Sequence, residues 1–389
     1  MGSQTEKTST VRERKSGIEL LRIVSMLFIV IFHVTQTLTS SSPLYSSLPQ
    51  AQLAMQDGSL APQNLLLLLF QSFGNLGNVL FFICSAWFLC DSTSAKLNKI
   101  VKIVLDTWLI SVLVLSAFLL CGVKLGLSTI LACFLPTTTA QNWYLTCYLL
   151  IYFFHPYLNK LLHSCTQAEQ LKLTLALLTL YSLSTLLFPD LFFSSAIVSY
   201  TVIYIFVAYL KQYRRSAFES RKTTNRFLLF GSLGFYGLVL LTVAANWASG
   251  SALASPLRWY QAANPFLLLM ALGIFNVFRR IPYQSSFVNR LAGLSLLVYL
   301  LHENVLFRTY VRPRIFVHLY QAGEYRQIIL WILVISAGLL LASWLLGSLY
   351  SAVFSRPMQY MTAKLTILLK NIYRSASQWL LSDRKTGTG

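Results

Sequence analysis

"GIELLRIVSMLFIVIFHV", residues 17–34, is an apolar run of spanning character interrupted by Glu19, Arg22 and His33. A helix crossing a hydrocarbon layer ~30 Å thick needs about 20 predominantly apolar residues. An ionisable side chain inside such a helix is costly and marks a functional site by default. Arg22 and His33 are eleven positions apart, which is about three turns plus 20°. Both therefore lie on one face, roughly 16 Å apart along the axis. Glu19 precedes Arg22 by three positions and neighbours it on the same stripe. Arg22 and His33 do not reach each other, but one long ligand lying along the helix would touch both. The plainer alternatives are an arginine snorkelling to the headgroups and a histidine that only packs.

The rest of the chain decides between them. Of 389 residues, 56% are hydrophobic and 11% charged, against about 25% charged in soluble domains. An all-α polytopic membrane protein follows. The net charge of +19 does not point to nucleic acid, because the basic residues sit between apolar runs rather than among stacking aromatics. Cys84, Cys90, Cys121, Cys133, Cys147 and Cys165 form no CxxC pair and no metal-ligand spacing. They read as small buried hydrophobes, and no metal is expected.

Ten apolar segments are predicted as helices, near 18–39, 64–90, 103–122, 141–161, 171–188, 194–210, 227–247, 264–279, 291–307 and 327–354. With a cytoplasmic N-terminus, alternate connections hold 24 Lys and Arg on the inner side and six on the outer, Arg22 being the remaining one of 31. This bias predicts ten spans with both termini inside. The first run exceeds the h-region of a signal peptide and no A-x-A site follows, so it is expected to stay as a signal anchor.

Three parts result: a basic cytoplasmic tail over 1–17, a transmembrane domain over 18–354, and a basic amphipathic cytoplasmic tail over 355–389. The last reads as a helix on the inner membrane surface. The outer stretch 308–326 breaks the charge rule with Arg308, Arg312, Arg314 and Arg326. Such a loop holds an acidic acceptor or simply tolerates its charges.

Two further segments carry polar groups to the expected depth of His33. "GLSLLVYLLHENVLFR" (293–308) brings His302 and Glu303 near its outer end, and "QNWYLTCYLLIYFFHPYLN" (141–159) opens from outside with Asn142, Trp143 and Tyr144. Trp143 and Tyr144 also suit an interfacial aromatic belt. Two histidines and a carboxylate at one depth, in separate helices, are harder to explain as packing.

Taken together these segments resemble the acyltransferase 3 family, integral membrane acyltransferases that modify cell-surface polysaccharides and related acceptors. The likeness covers most of the chain. Arg22 and His33 match the family's Arg-x10-His in the first helix. "GNLGNVLFFICSAWFL" (74–89) is similar to its glycine-rich second helix, and Trp143, Tyr144, Pro156 and Asn159 to its fourth. "SYTVIYIFVAYLKQY" (199–213), "NPFLLLMALGIFNVF" (264–278) and "LVYLLHEN" (297–304) follow in order. Ser85-Ala86 and Val207 depart from small-residue positions of the family pattern.

The resemblance implies an acyl-CoA donor, such as acetyl-CoA, on the cytoplasmic side, and a hydroxyl of an extracytoplasmic glycan or polysaccharide as acceptor. The setting would be a multi-pass protein among the lipids of a bacterial-type cell membrane. Within that frame Arg22, steadied by Glu19, would hold the CoA phosphates. His33 would act as general base or, in a covalent variant, as nucleophile. Glu303 would orient a histidine, and Asn142, Tyr144 or His302 would donate to a developing oxyanion, with Trp143 beside them. No G-x-S-x-G elbow and no H-E-x-x-H occurs in the chain. A secondary transporter with a His/Arg/Glu pathway is the competing class, but no inverted repeat is evident.

Overall fold

A computed structural model of the chain describes residues 16–39, 62–139, 141–188, 195–251, 253–312 and 325–382. The basic N-tail through Lys15, the outer stretch 40–61, the break at Pro189-Asp190, and Arg314 lie outside the described residues. Among the described residues every regular element is helical.

The principal helices are α1 (Ser16–Thr39), α2 (Pro62–Leu89), α3 (Leu97–Leu120), α4 (Leu127–Phe134), α5 (Trp143–Ser164) and α6 (Gln167–Leu177). α6 runs on through a π turn, Leu178–Leu183, to Leu187. Then come α7 (Ala196–Tyr213), α8 (Arg221–Ser249), α9 (Pro265–Arg279), α10 (Ser286–Gly293), α11 (Ser295–His302) and α12 (Tyr325–Ser382). The ten segments expected from the sequence fall largely on helix. Among the described residues, six helices are long and apolar enough to cross a membrane: α1, α2, α3, α7, α8 and α12. This is an all-α, multi-pass membrane protein.

Burial sorts the helices into an inner and an outer set. In the most apolar window of α2, 72% of residues are buried, against 22% in α8 and α12. On α8 the side chains of Leu229, Phe230, Leu233, Leu240 and Leu241 stand exposed. In water such a surface would be untenable; against lipid tails it needs no partner. α1 sits at the centre, packed chiefly on α2 and also on α9, α10, α11 and α12.

Small residues let α1 and α2 approach, as is usual where no hydrophobic drive separates helix from lipid. A Cβ on Gly77 would lie 2.7 Å from the Ser25 carbonyl oxygen and 2.9 Å from Ile29, and one on Gly74 would meet the Phe32 ring. Helix ends need satisfied carbonyls within a membrane. Asn159 Nδ2 donates to the carbonyls of Leu89 and Ser92 at 2.8 Å each, while Tyr204 donates to its Oδ1 at 2.7 Å. One amide thus ties α5 to the end of α2 and to α7.

Two elements differ from expectation. The helix expected over 291–307 is broken at Leu294 and ends at His302, with a turn at Glu303-Asn304 and a π segment at Phe307–Val311. The cause lies in the polar residues: Arg312 takes the His302 carbonyl at 2.7 Å, and Asn304 Oδ1 accepts from the Leu306 amide at 3.0 Å. Both bonds satisfy backbone that a continued helix would have paired internally. The last helix, α12, runs 58 residues without a break at 355, about 87 Å at helical rise, far beyond the ~30 Å of a hydrocarbon core.

Candidate active site

The stripe Arg22, Met26, Ile29 on α1 lines a cavity of about 490 Å³. Its spacing of four and three residues continues to His33, one turn beyond Ile29. On the other wall Ala292, Gly293, Ser295, Leu296 and Tyr299 of α10 and α11 line the same space, and His302 follows Tyr299 by one turn. Two helices therefore deliver their histidines just past the end of one cavity. α3 closes it with Lys99, Lys102, Ile103 and Asp106, and α5 with Tyr144, Leu145 and Tyr148.

Past that end, the two histidines meet. His33 Nδ1 lies 3.1 Å from His302 Nε2 and 2.8 Å from Glu303 Oε2. His302 Nδ1 lies 2.7 Å from the Val298 carbonyl oxygen, so this nitrogen carries the proton and Nε2 its lone pair. His33 Nδ1–H then donates toward the Glu303 carboxylate and the His302 lone pair. In the neutral ring the lone pair is then on Nε2. The assignment follows from the hydrogen-bond partners, and such an arrangement can hold a general base by an orienting carboxylate.

Glu303 is buried, at 5% exposure, and its charge is answered by two arginines. Arg312, itself 2% exposed, donates to Oε2 at 2.9 Å, and Arg308 to Oε1 at 3.1 Å. The sequence places these arginines in a stretch that breaks the charge rule, and the acid they hold is in this chain. The groups of His33, His302 and Glu303 lie within 4.8 Å of one another, a spacing that a metal ion accepts. The two guanidiniums, however, already occupy the carboxylate and set positive charge against any cation there.

At the other end of the cavity, Arg22 Nη1 donates to both Glu19 oxygens at 3.2 and 3.1 Å. Its Nε is buried with no hydrogen-bond partner among the described residues. Lys102 pairs with the buried Asp106 at 2.5 Å, and Tyr350 of α12 donates to the same carboxylate at 2.8 Å. Lys99 donates to the Tyr148 hydroxyl at 3.0 Å and stands over the Tyr152 ring. Three cations thus line the cavity, and both histidines lie one turn along their helices from residues that line it.

The remaining expected residues divide. Tyr144 lines the cavity, but its hydroxyl donates to the Asn78 carbonyl at 3.3 Å. Asn142 and Trp143 are not among the lining residues: Asn142 is buried with Oδ1 unpartnered among the described residues, and Trp143 is exposed and stacks on Tyr200. Sequence reasoning missed Arg308, Arg312, Lys99, Lys102, Asp106 and Tyr299 as site residues. Only the unusual outer charge of the first two was a usable signal.

A family model described as "Acyltransferase domain", that of acyltransferase 3, matches residues 15–350, from the start of α1 well into α12. No curated protein and no solved structure matches the chain.

Proposed function

The chain belongs to the acyltransferase 3 family, and on that premise we propose that this membrane acyltransferase moves an acyl group, acetyl in the simplest case, from cytoplasmic acyl-CoA to a hydroxyl of an extracytoplasmic glycan. The observation that carries the reading is the cavity: it is lined by Arg22, Lys99 and Lys102 together with Ile29 and Tyr299, each of the last two one turn from a histidine. The phosphates of the donor suit the three cations, and the orphan Nε of Arg22 is a donor awaiting an acceptor. The pantetheine arm then lies along the α1 stripe and carries the thioester toward His33.

At His33 the acceptor hydroxyl gives its proton to Nε2 as its oxygen attacks the thioester carbonyl carbon. The tetrahedral intermediate collapses with cleavage of the C–S bond, and the leaving thiolate takes the proton back from His33. Glu303 holds His33 by its Nδ1–H, and Arg308 and Arg312 hold Glu303. No metal enters this scheme. Glu19 is a positioning residue for Arg22. The arrangement suits a plasma membrane of bacterial type, with both termini and the cations of the cavity on the cytoplasmic side.

The test uses the full chain in proteoliposomes with labelled acetyl-CoA outside the face that carries the termini. Label transfer to an enclosed glycan, abolished by His33→Ala, is the expected result. Accumulation of an intact solute without release of CoA would point to transport instead.

A further inference from the structure

Any acyl transfer needs a donor for the oxyanion that forms as the thioester carbonyl is attacked. The side chains at hand are mostly committed elsewhere. The Tyr144 hydroxyl donates to the Asn78 carbonyl, and His302 Nδ1–H is spent on the Val298 carbonyl. Asn142 does not line the cavity. Tyr299 is different. Its ring lines the cavity one turn before His302, it is 6% exposed, and its buried hydroxyl finds no acceptor among the described residues. The phenol proton is therefore uncommitted among the described residues.

A buried hydroxyl that donates to nothing is costly, and in a native fold it calls for an explanation. Tyr299 also stands at the end of the cavity a thioester would have to pass. Its ring centroid is 6.1 Å from that of His302, at 79°, and 6.2 Å from that of Tyr144. Its α11 position puts it on the same short helix that supplies His302 and leads into Glu303.

We infer that Tyr299 is a catalytic residue whose hydroxyl donates to the carbonyl oxygen of the acyl thioester, and more strongly to the oxyanion of the tetrahedral intermediate. The inference rests on the acyl-CoA reading above. The proton stays on Tyr299 throughout: the hydroxyl stabilises charge, and His33 alone moves the acceptor's proton to the leaving thiolate.

The test is Tyr299→Phe in the purified full-length protein, with acetyl-CoA consumption and thermal stability measured together. Turnover should fall by about 10²–10³-fold, with the donor KM changed less than threefold. The melting temperature should hold or rise, because the substitution removes a buried hydroxyl that donates to nothing; a hydroxyl with a merely structural bond would lower it. Tyr200→Phe is the matched control. Its phenol is also buried and unpartnered among the described residues but does not line the cavity, so turnover should stay within threefold. Tyr299→Phe as active as the wild type overturns the inference and leaves the acyltransferase reading standing. Wild-type protein that consumes no acyl-CoA overturns both.

Discussion

His33 and Glu303, far apart in sequence, share a contact of 2.8 Å between Nδ1 and a carboxylate oxygen. The same nitrogen lies 3.1 Å from His302 Nε2. These contacts join His33, His302 and Glu303 into one cluster, which under the proposed function is a base with its orienting partners.

Replacing His33 by Ala should lower acyl transfer by about 10³-fold, within the range for loss of a general base. Glu303→Gln keeps the shape but not the charge, and should cost about tenfold to a hundredfold through loss of orientation. Release of CoA thiol reports both. Full turnover by His33→Ala would show that another group takes the proton.

Arg22→Ala should raise KM for acyl-CoA by about tenfold or more, the loss of a charge-assisted bond, and leave KM for the acceptor unchanged. Glu19→Gln should act in the same direction but less, since it releases Arg22 without removing it. Initial rates with each substrate varied in turn separate the two constants. Equal effects on donor and acceptor would contradict a place for Arg22 at the donor end.

The two arginines on Glu303 should differ in stability. Arg312 has a side chain 3% exposed, so Arg312→Ala leaves a buried carboxylate short of its partner and should cost about 3–5 kcal/mol. Arg308 has a side chain 40% exposed, and Arg308→Ala should cost at most about 1 kcal/mol. Denaturation of the detergent-solubilised protein measures both, and equal losses would count against the burial argument.

Gly77→Ala should destabilise by about 1–3 kcal/mol, the usual cost of overpacking, because the added Cβ meets the Ser25 backbone oxygen at 2.7 Å. It also presses on Ile29, which lines the cavity, so the donor KM should rise. Gly237→Ala, on α8 with nothing within 4 Å of the new Cβ, should be neutral or stabilise by up to about 1 kcal/mol. Thermal shifts of the same sign and size for the two variants would refute the close-approach account.

Much of this protein is legible in its amino-acid sequence. Composition and run length determine the membrane class, and the residues of α1 by themselves place Glu19, Arg22 and His33 on one stripe. The ordered likeness of several helices points to the acyltransferase 3 family, whose model matches nearly the whole chain. Helical period suffices for these because it is a local property: a face follows from spacing alone. It does not say which helix a face meets. That α11 ends at His302, that Arg312 turns back onto Glu303, and that Lys99, Lys102 and Tyr299 share a cavity with Arg22 depend on contacts between residues distant in sequence. Such contacts are chosen by how side chains of several helices fill one space and satisfy each other's polar groups, and only the packed tertiary structure decides that.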